Sequence, residues 1–87
     1  MYHLLIRQKL EDYDRWWMLY EAAYPERKQA GLEERNVFRN MSDPNEVFIL
    51  YAFQDLMKAE VYVAKLDTEE RLREEGVVGG IEAVYLT

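Results

Sequence analysis

Cysteine is absent from this sequence, which removes disulfides, thiolate zinc sites and cysteine nucleophiles together. Histidine occurs once, as His3, so no pair of imidazoles is available at metal-ligand spacing. With 4 glycines and 2 prolines there is no glycine-rich phosphate loop and no nucleophile elbow. Cations are also scarce. Lys and Arg number 11 against 17 acids, and the net charge of −6 argues against a phosphate backbone as partner. No long hydrophobic run occurs. The segment from Met1 to Arg7 breaks its apolar run after three residues, and so reads as neither a signal peptide nor a membrane span. A cytoplasmic location is the default expectation, with no metal, haem or nucleotide cofactor required.

Apolar and aromatic side chains are abundant, at 49% and 14% of the chain. Eighty-seven residues make a single domain, 1–87, which buries roughly two-thirds of the surface its unfolded form exposes. The apolar surplus points to surface buried between subunits. Residues 46–53 carry the clearest form of it. In a strand, Val47, Ile49, Tyr51 and Phe53 point one way, and Phe48, Leu50 and Ala52 the other. Helices cover one of these sides, and a second copy of the chain is the natural cover for the other. The alternation alone does not say which set meets the partner.

The remaining elements follow from period and punctuation. Residues 2–9 read as a strand, with Leu4 and Ile6 on one face and His3, Leu5 and Arg7 on the other. Glu11-Asp12 opens a helix on which Tyr13, Trp16, Trp17, Leu19, Tyr20, Ala23 and Tyr24 fill nearly half the circumference. Pro25 should kink or restart it, and Ala30-Gly31 should end it. A second strand over 33–40 joins residues 46–53 through the turn formers Met41 to Asn45. Asp55 is placed to cap a helix with the face Leu56, Ala59, Tyr62, Val63 and Leu66. A shorter helix runs from Thr68 to Glu75, with Gly76 as its C-cap, and a last strand spans Ile81 to Thr87. The order β-α-β-β-α-β predicts a ferredoxin-like α+β fold: a four-stranded antiparallel sheet with helices on one face. Two such sheets stacked face to face close a dimeric barrel.

The segments Asp12-Tyr13-Asp14-Arg15-Trp16, Phe38-Arg39-Asn40 with Asp43-Pro44-Asn45-Glu46-Val47, and Gly76-Val77-Val78-Gly79 carry a resemblance over nearly the whole chain. They resemble the dimeric α+β barrel superfamily, and within it the small bacterial proteins that are antibiotic-biosynthesis-monooxygenase-like or cyclase-like. The resemblance implies a homodimer through sheet faces and a cofactor-independent activity of the monooxygenase or cyclase kind on a small aromatic or polyketide-like molecule. It is equally compatible with a non-catalytic module that binds or senses such a molecule. Haem-degrading members of the superfamily use a helix histidine, whereas His3 lies on the first strand.

Two groups of residues are candidates for a site. Tyr13, Trp16, Trp17, Tyr20 and Tyr24 bring large apolar area and polar tips to one helix, suited to lining a pocket for a flat organic molecule. The competing reading is core packing, with Trp16 and Tyr20 central and with Trp17 and Tyr24 at a cleft or subunit boundary. His3 and Arg7 share a strand face and are the candidate catalytic pair, His3 as base and Arg7 as holder of a carboxylate or enolate oxygen. A sheet-surface packing role for His3, and an ion pair from Arg7 to Glu82 or another acid, are the alternatives. The acids Glu69, Glu70, Glu74 and Glu75 read as a solvated helix face rather than a metal site. The segment from Glu46 to Leu50 lacks the basic-glycine-aromatic pattern of RNA-recognition domains, which share this element order.

Overall fold

Asp12 starts the first helix: its carboxylate accepts from the Asp14 amide at 3.1 Å, satisfying one of the free N–H groups of the first turn. Asp55 caps the Lys58 amide at 3.2 Å, and Thr68 the Arg71 amide at 3.2 Å, in the same way. The computed structural model describes residues 1–87. Its elements run β1 (Tyr2–Leu10), α1 (Tyr13–Ala22), α2 (Tyr24–Gln29), β2 (Glu33–Asn40), β3 (Asp43–Phe53), α3 (Leu56–Leu66), α4 (Glu69–Glu75) and β4 (Val77–Leu86). The strands form one antiparallel sheet in the order β2-β3-β1-β4, the ferredoxin-like α+β arrangement. No helix is long and apolar enough to cross a membrane.

Pro25 restarts the helix rather than kinking it. It lies in the first turn of α2, where a missing N–H leaves no acceptor unpaired. Gly31, at a φ of 75°, then reverses the chain into β2.

The last strand begins earlier than its expected start at Ile81. It leaves the α4 C-cap directly at Val77, because Gly79 and Gly80 lie inside the strand and form a bulge rather than a turn before it. Glu82 pairs with Arg7 and Val78 with Lys9, so three β4 residues face the single residue Gln8. Gly79 takes a φ of 74° there, which a side chain would strain. Leu19 and Leu56, expected on buried helix faces, are 39% and 44% exposed, because each lies at the margin of its arc.

Register assigns the two faces of β3. Tyr51 pairs with Leu4, and Ile49 with Ile6 and the partly buried Val37; Leu4, Ile6, Ile49 and Tyr51 are buried with Trp16, Tyr20, Ala59 and Tyr62 of the helices. Phe48, Leu50 and Ala52 therefore look away from the helices, beside Leu5, Phe38, Val84 and Leu86. Phe38 is 51% exposed and Val84 49%. At one end of this face, Arg7 pairs with Glu46 and with Glu82, the latter at 3.2 Å.

Candidate functional site

Between helices and sheet, five of the elements place a polar group where an apolar one would be expected. β1 supplies Gln8, continuing the inward alternation Leu4, Ile6, Gln8, Leu10. α1 supplies Tyr20, α2 Arg27, β3 Tyr51 and α3 Tyr62, all buried. Together with Trp16 they surround a cavity of about 10 Å³, room for one water. The Tyr51 hydroxyl donates to that of Tyr20 at 3.2 Å, and Tyr20 donates to Glu34 at 2.6 Å. Arg27 donates from Nη1 to the Tyr20 carbonyl at 2.6 Å, with its guanidinium 3.6 Å from the centre of the Tyr20 ring. Gln8 is 3% exposed and lines the same cavity, and none of its side-chain atoms is both fully enclosed and unpartnered. Burial pushes the Tyr62 phenol up to about 12 and holds those of Tyr20 and Tyr51 well above their ordinary value. All three hydroxyls are thus neutral donors at physiological pH.

A larger depression lies outside this cavity. Glu26 and Gln29 of α2, with its C-cap Ala30, face Met57, Lys58, Val61, Tyr62 and Lys65 of α3 across a groove of about 420 Å³. Tyr62 lines both spaces. Beside it Arg71, which also lines the inner cavity, donates to Glu26 from Nη2 at 2.7 Å and from Nη1 at 3.2 Å, and to Glu75 from Nε.

The aromatic arc of α1 divides by depth. Trp16 and Tyr20 are core, with ring centres 4.8 Å apart. Trp17 is half-buried between Tyr13, at 6.1 Å, and Tyr20, at 5.6 Å. Tyr13 lies under the Arg39 guanidinium at 3.7 Å. Tyr24 is 59% exposed and lines a separate surface groove with Lys28, Leu32 and Glu34. In this structure stacked rings and the Arg27 side chain occupy the space where an open pocket was expected, leaving the 10 Å³ cavity.

His3 and Arg7 are not brought to the aromatic arc. Odd positions of β1 point away from the helices, so both lie on the opposite face of the sheet, and neither lines the cavity or the α2–α3 groove. His3 sits between Ala52 and Leu86, while Arg7 is held by Glu46 and Glu82, the ion pairing foreseen as its alternative. No three acidic or histidine side chains converge in metal-binding geometry. Of the residues that do converge, Trp16 and Tyr20 were among the expected pocket residues, whereas Gln8, Arg27, Tyr51 and Tyr62 were missed. The signal for Gln8 was its break in an apolar alternation; Tyr51 and Tyr62 read as ordinary members of apolar faces, and Arg27 gave no signal.

No family model matches the sequence, and no curated protein does. Solved structures do match. An antibiotic biosynthesis monooxygenase superposes with a TM-score of 0.68 at 16% identity, over 100% of this chain and 97% of its own. A NIPSNAP family protein of unknown function from Agrobacterium tumefaciens gives 0.64 at 19% identity, over 99% and 86%. A monooxygenase from the gene ActVA-Orf6 of Streptomyces coelicolor, in complex with the ligand nanaomycin D, gives 0.59 at 16% identity, over 99% and 85%. Over its full length the chain has the ferredoxin-like α+β fold of the antibiotic-biosynthesis-monooxygenase-like proteins.

Proposed function

We propose that the protein binds a small, flat aromatic molecule between its helices and sheet, and that it acts there as a cofactor-independent oxygenase. The observation that carries this reading is the convergence of Gln8, Tyr20, Arg27, Tyr51 and Tyr62 on one buried point. Buried polar groups need hydrogen-bond partners, and five of them bordering one cavity supply the few convergent polar groups that a small-molecule site uses for orientation. The Streptomyces coelicolor monooxygenase of the same fold holds nanaomycin D, which supports a ligand of that general kind. A substrate with an acidified C–H group can reduce O2 once its proton is removed. One oxygen atom then becomes a carbonyl of the product, and the other leaves as water with the two hydrogens. The neutral Tyr62 hydroxyl, the Gln8 amide and the Arg27 cation suit an enolate-like oxygen, whose developing charge they stabilise, while the O–H groups of Tyr20 and Tyr51 stay committed to Glu34 and Tyr20.

The partner we propose is a second copy of the chain. Leu5, Phe38, Phe48, Leu50, Val84 and Leu86 give the open sheet face an apolar surface that another such face would cover.

Oxygen uptake in the presence of anthrone, whose methylene becomes a carbonyl by this stoichiometry, tests the oxygenase reading. Uptake above the protein-free rate, lost in Gln8→Leu, is expected. Calorimetric binding without any uptake would instead establish the second reading, a non-catalytic binding module. That second reading is favoured by one observation: the only imidazole, His3, faces away from the cavity.

A further inference from the structure

The inner cavity and the outer groove are separated by a wall of two parts, the Tyr62 ring and the ion pair of Arg71 with Glu26. The inner space of about 10 Å³ admits no organic molecule, whereas the groove of about 420 Å³ is within the usual size range of small-ligand sites. Entry therefore requires this wall to move. The Arg71 guanidinium is forked onto Glu26 of α2 and bonded through Nε to Glu75 of its own helix, so it ties α2 to α4. The groove itself is cationic: Lys58 and Lys65 line it against one acid, Glu26, in a chain whose net charge is −6. An approaching anion meets a locally favourable field there, and Glu26 is its competitor for the guanidinium.

We propose that Arg71 is the recognition residue and latch of this site, and that the ligand is a flat aromatic bearing one anionic group, a carboxylate or phenolate. The inference rests on the reading of the cavity as a ligand site. In the closed state Glu26 occupies Arg71. The ligand enters from the α2–α3 groove, its anionic group replaces the Glu26 carboxylate on Arg71, and α2 is released from α4 as the aromatic body passes Tyr62. A purely structural clamp would use the same three side chains, but it would not distinguish charged from neutral ligands.

Two probes of equal shape separate these cases: 2-naphthoate, an anion, and 2-naphthamide, which is neutral. Titration calorimetry of each against the native protein, Arg71→Gln and Glu26→Gln gives the charge preference directly. The native protein should prefer naphthoate. In Arg71→Gln, naphthoate should weaken about tenfold or more while naphthamide stays within about twofold, the loss of one charge-assisted recognition. In Glu26→Gln, naphthoate should tighten by about threefold, because a larger fraction of the protein has Arg71 free. Equal binding of both probes, unchanged by either substitution, overturns the latch and leaves the cavity reading standing. Failure of both probes to bind the native protein overturns both. If Arg71→Gln does not fold, the Glu26→Gln arm decides: no gain for naphthoate, or an equal gain for both probes, contradicts the proposal.

Discussion

Gln8 shows what a single side chain contributes. Its neighbours along the strand, Leu4, Ile6 and Leu10, give the apolar set that the alternation predicts, and the sheet register follows from them. Gln8 among them lines the cavity between helices and sheet. Gln8→Leu keeps the apolar row of the strand and should leave stability within about 1 kcal/mol while abolishing ligand binding; urea unfolding and calorimetry measure the two effects. Trp16 behaves in the opposite way. It is 2% exposed and stacked on Tyr20, so Trp16→Ala should cost about 3–5 kcal/mol in the same unfolding experiment. At this scale the centre of the aromatic arc was legible, because a helix must bury the middle of its apolar face. The faces of His3 and Arg7 were legible too. Their distance from the aromatic arc was not, since it depends on which face of β1 the helices cover.

Among the elements, the caps and turns were the most readable parts: Asp55, Thr68 and Gly76 act where local chemistry alone dictates. The bulge in β4 was not readable, because a Gly-Gly pair before an apolar run signals a turn as readily as an irregular strand. Its three residues lie opposite Gln8, where the register of β1 with β4 shifts. No atom lies within 4 Å of a Cβ placed at Gly79, and Gly79→Ala is therefore strained by the backbone alone. The expected loss is about 1–2 kcal/mol by denaturant unfolding. The tie from α2 to α4 has a pH dependence of fixed sign. The Arg71 hydrogen bonds hold the Glu26 carboxyl below its ordinary range. Its contribution is present above the unfolded carboxyl value and is lost as pH falls through the depressed folded one. Thermal melts of the native protein should fall more steeply below about pH 4 than those of Glu26→Gln.

For the whole molecule, the double-sided apolarity of β3 made a two-layer fold with one uncovered face legible, and register then assigned Phe48, Leu50 and Ala52 to that face. If a second copy covers it, light scattering at micromolar concentration should give twice the 10.5 kDa chain mass. Leu50→Asp should return the mass of one chain, by burying an unpaired charge in the contact. The site was less legible than the fold because it is assembled by packing: Gln8, Arg27, Tyr51 and Tyr62 come from four elements and share no sequence motif. The most direct test of the account is therefore whether a ligand reaches that assembly. In 15N-resolved NMR spectra of the native protein titrated with 2-naphthoate, the Gln8 side-chain amide should shift together with the Trp16 indole. Shifts confined to groove residues such as Met57 and Val61, with the Gln8 amide unmoved at saturation, would contradict it.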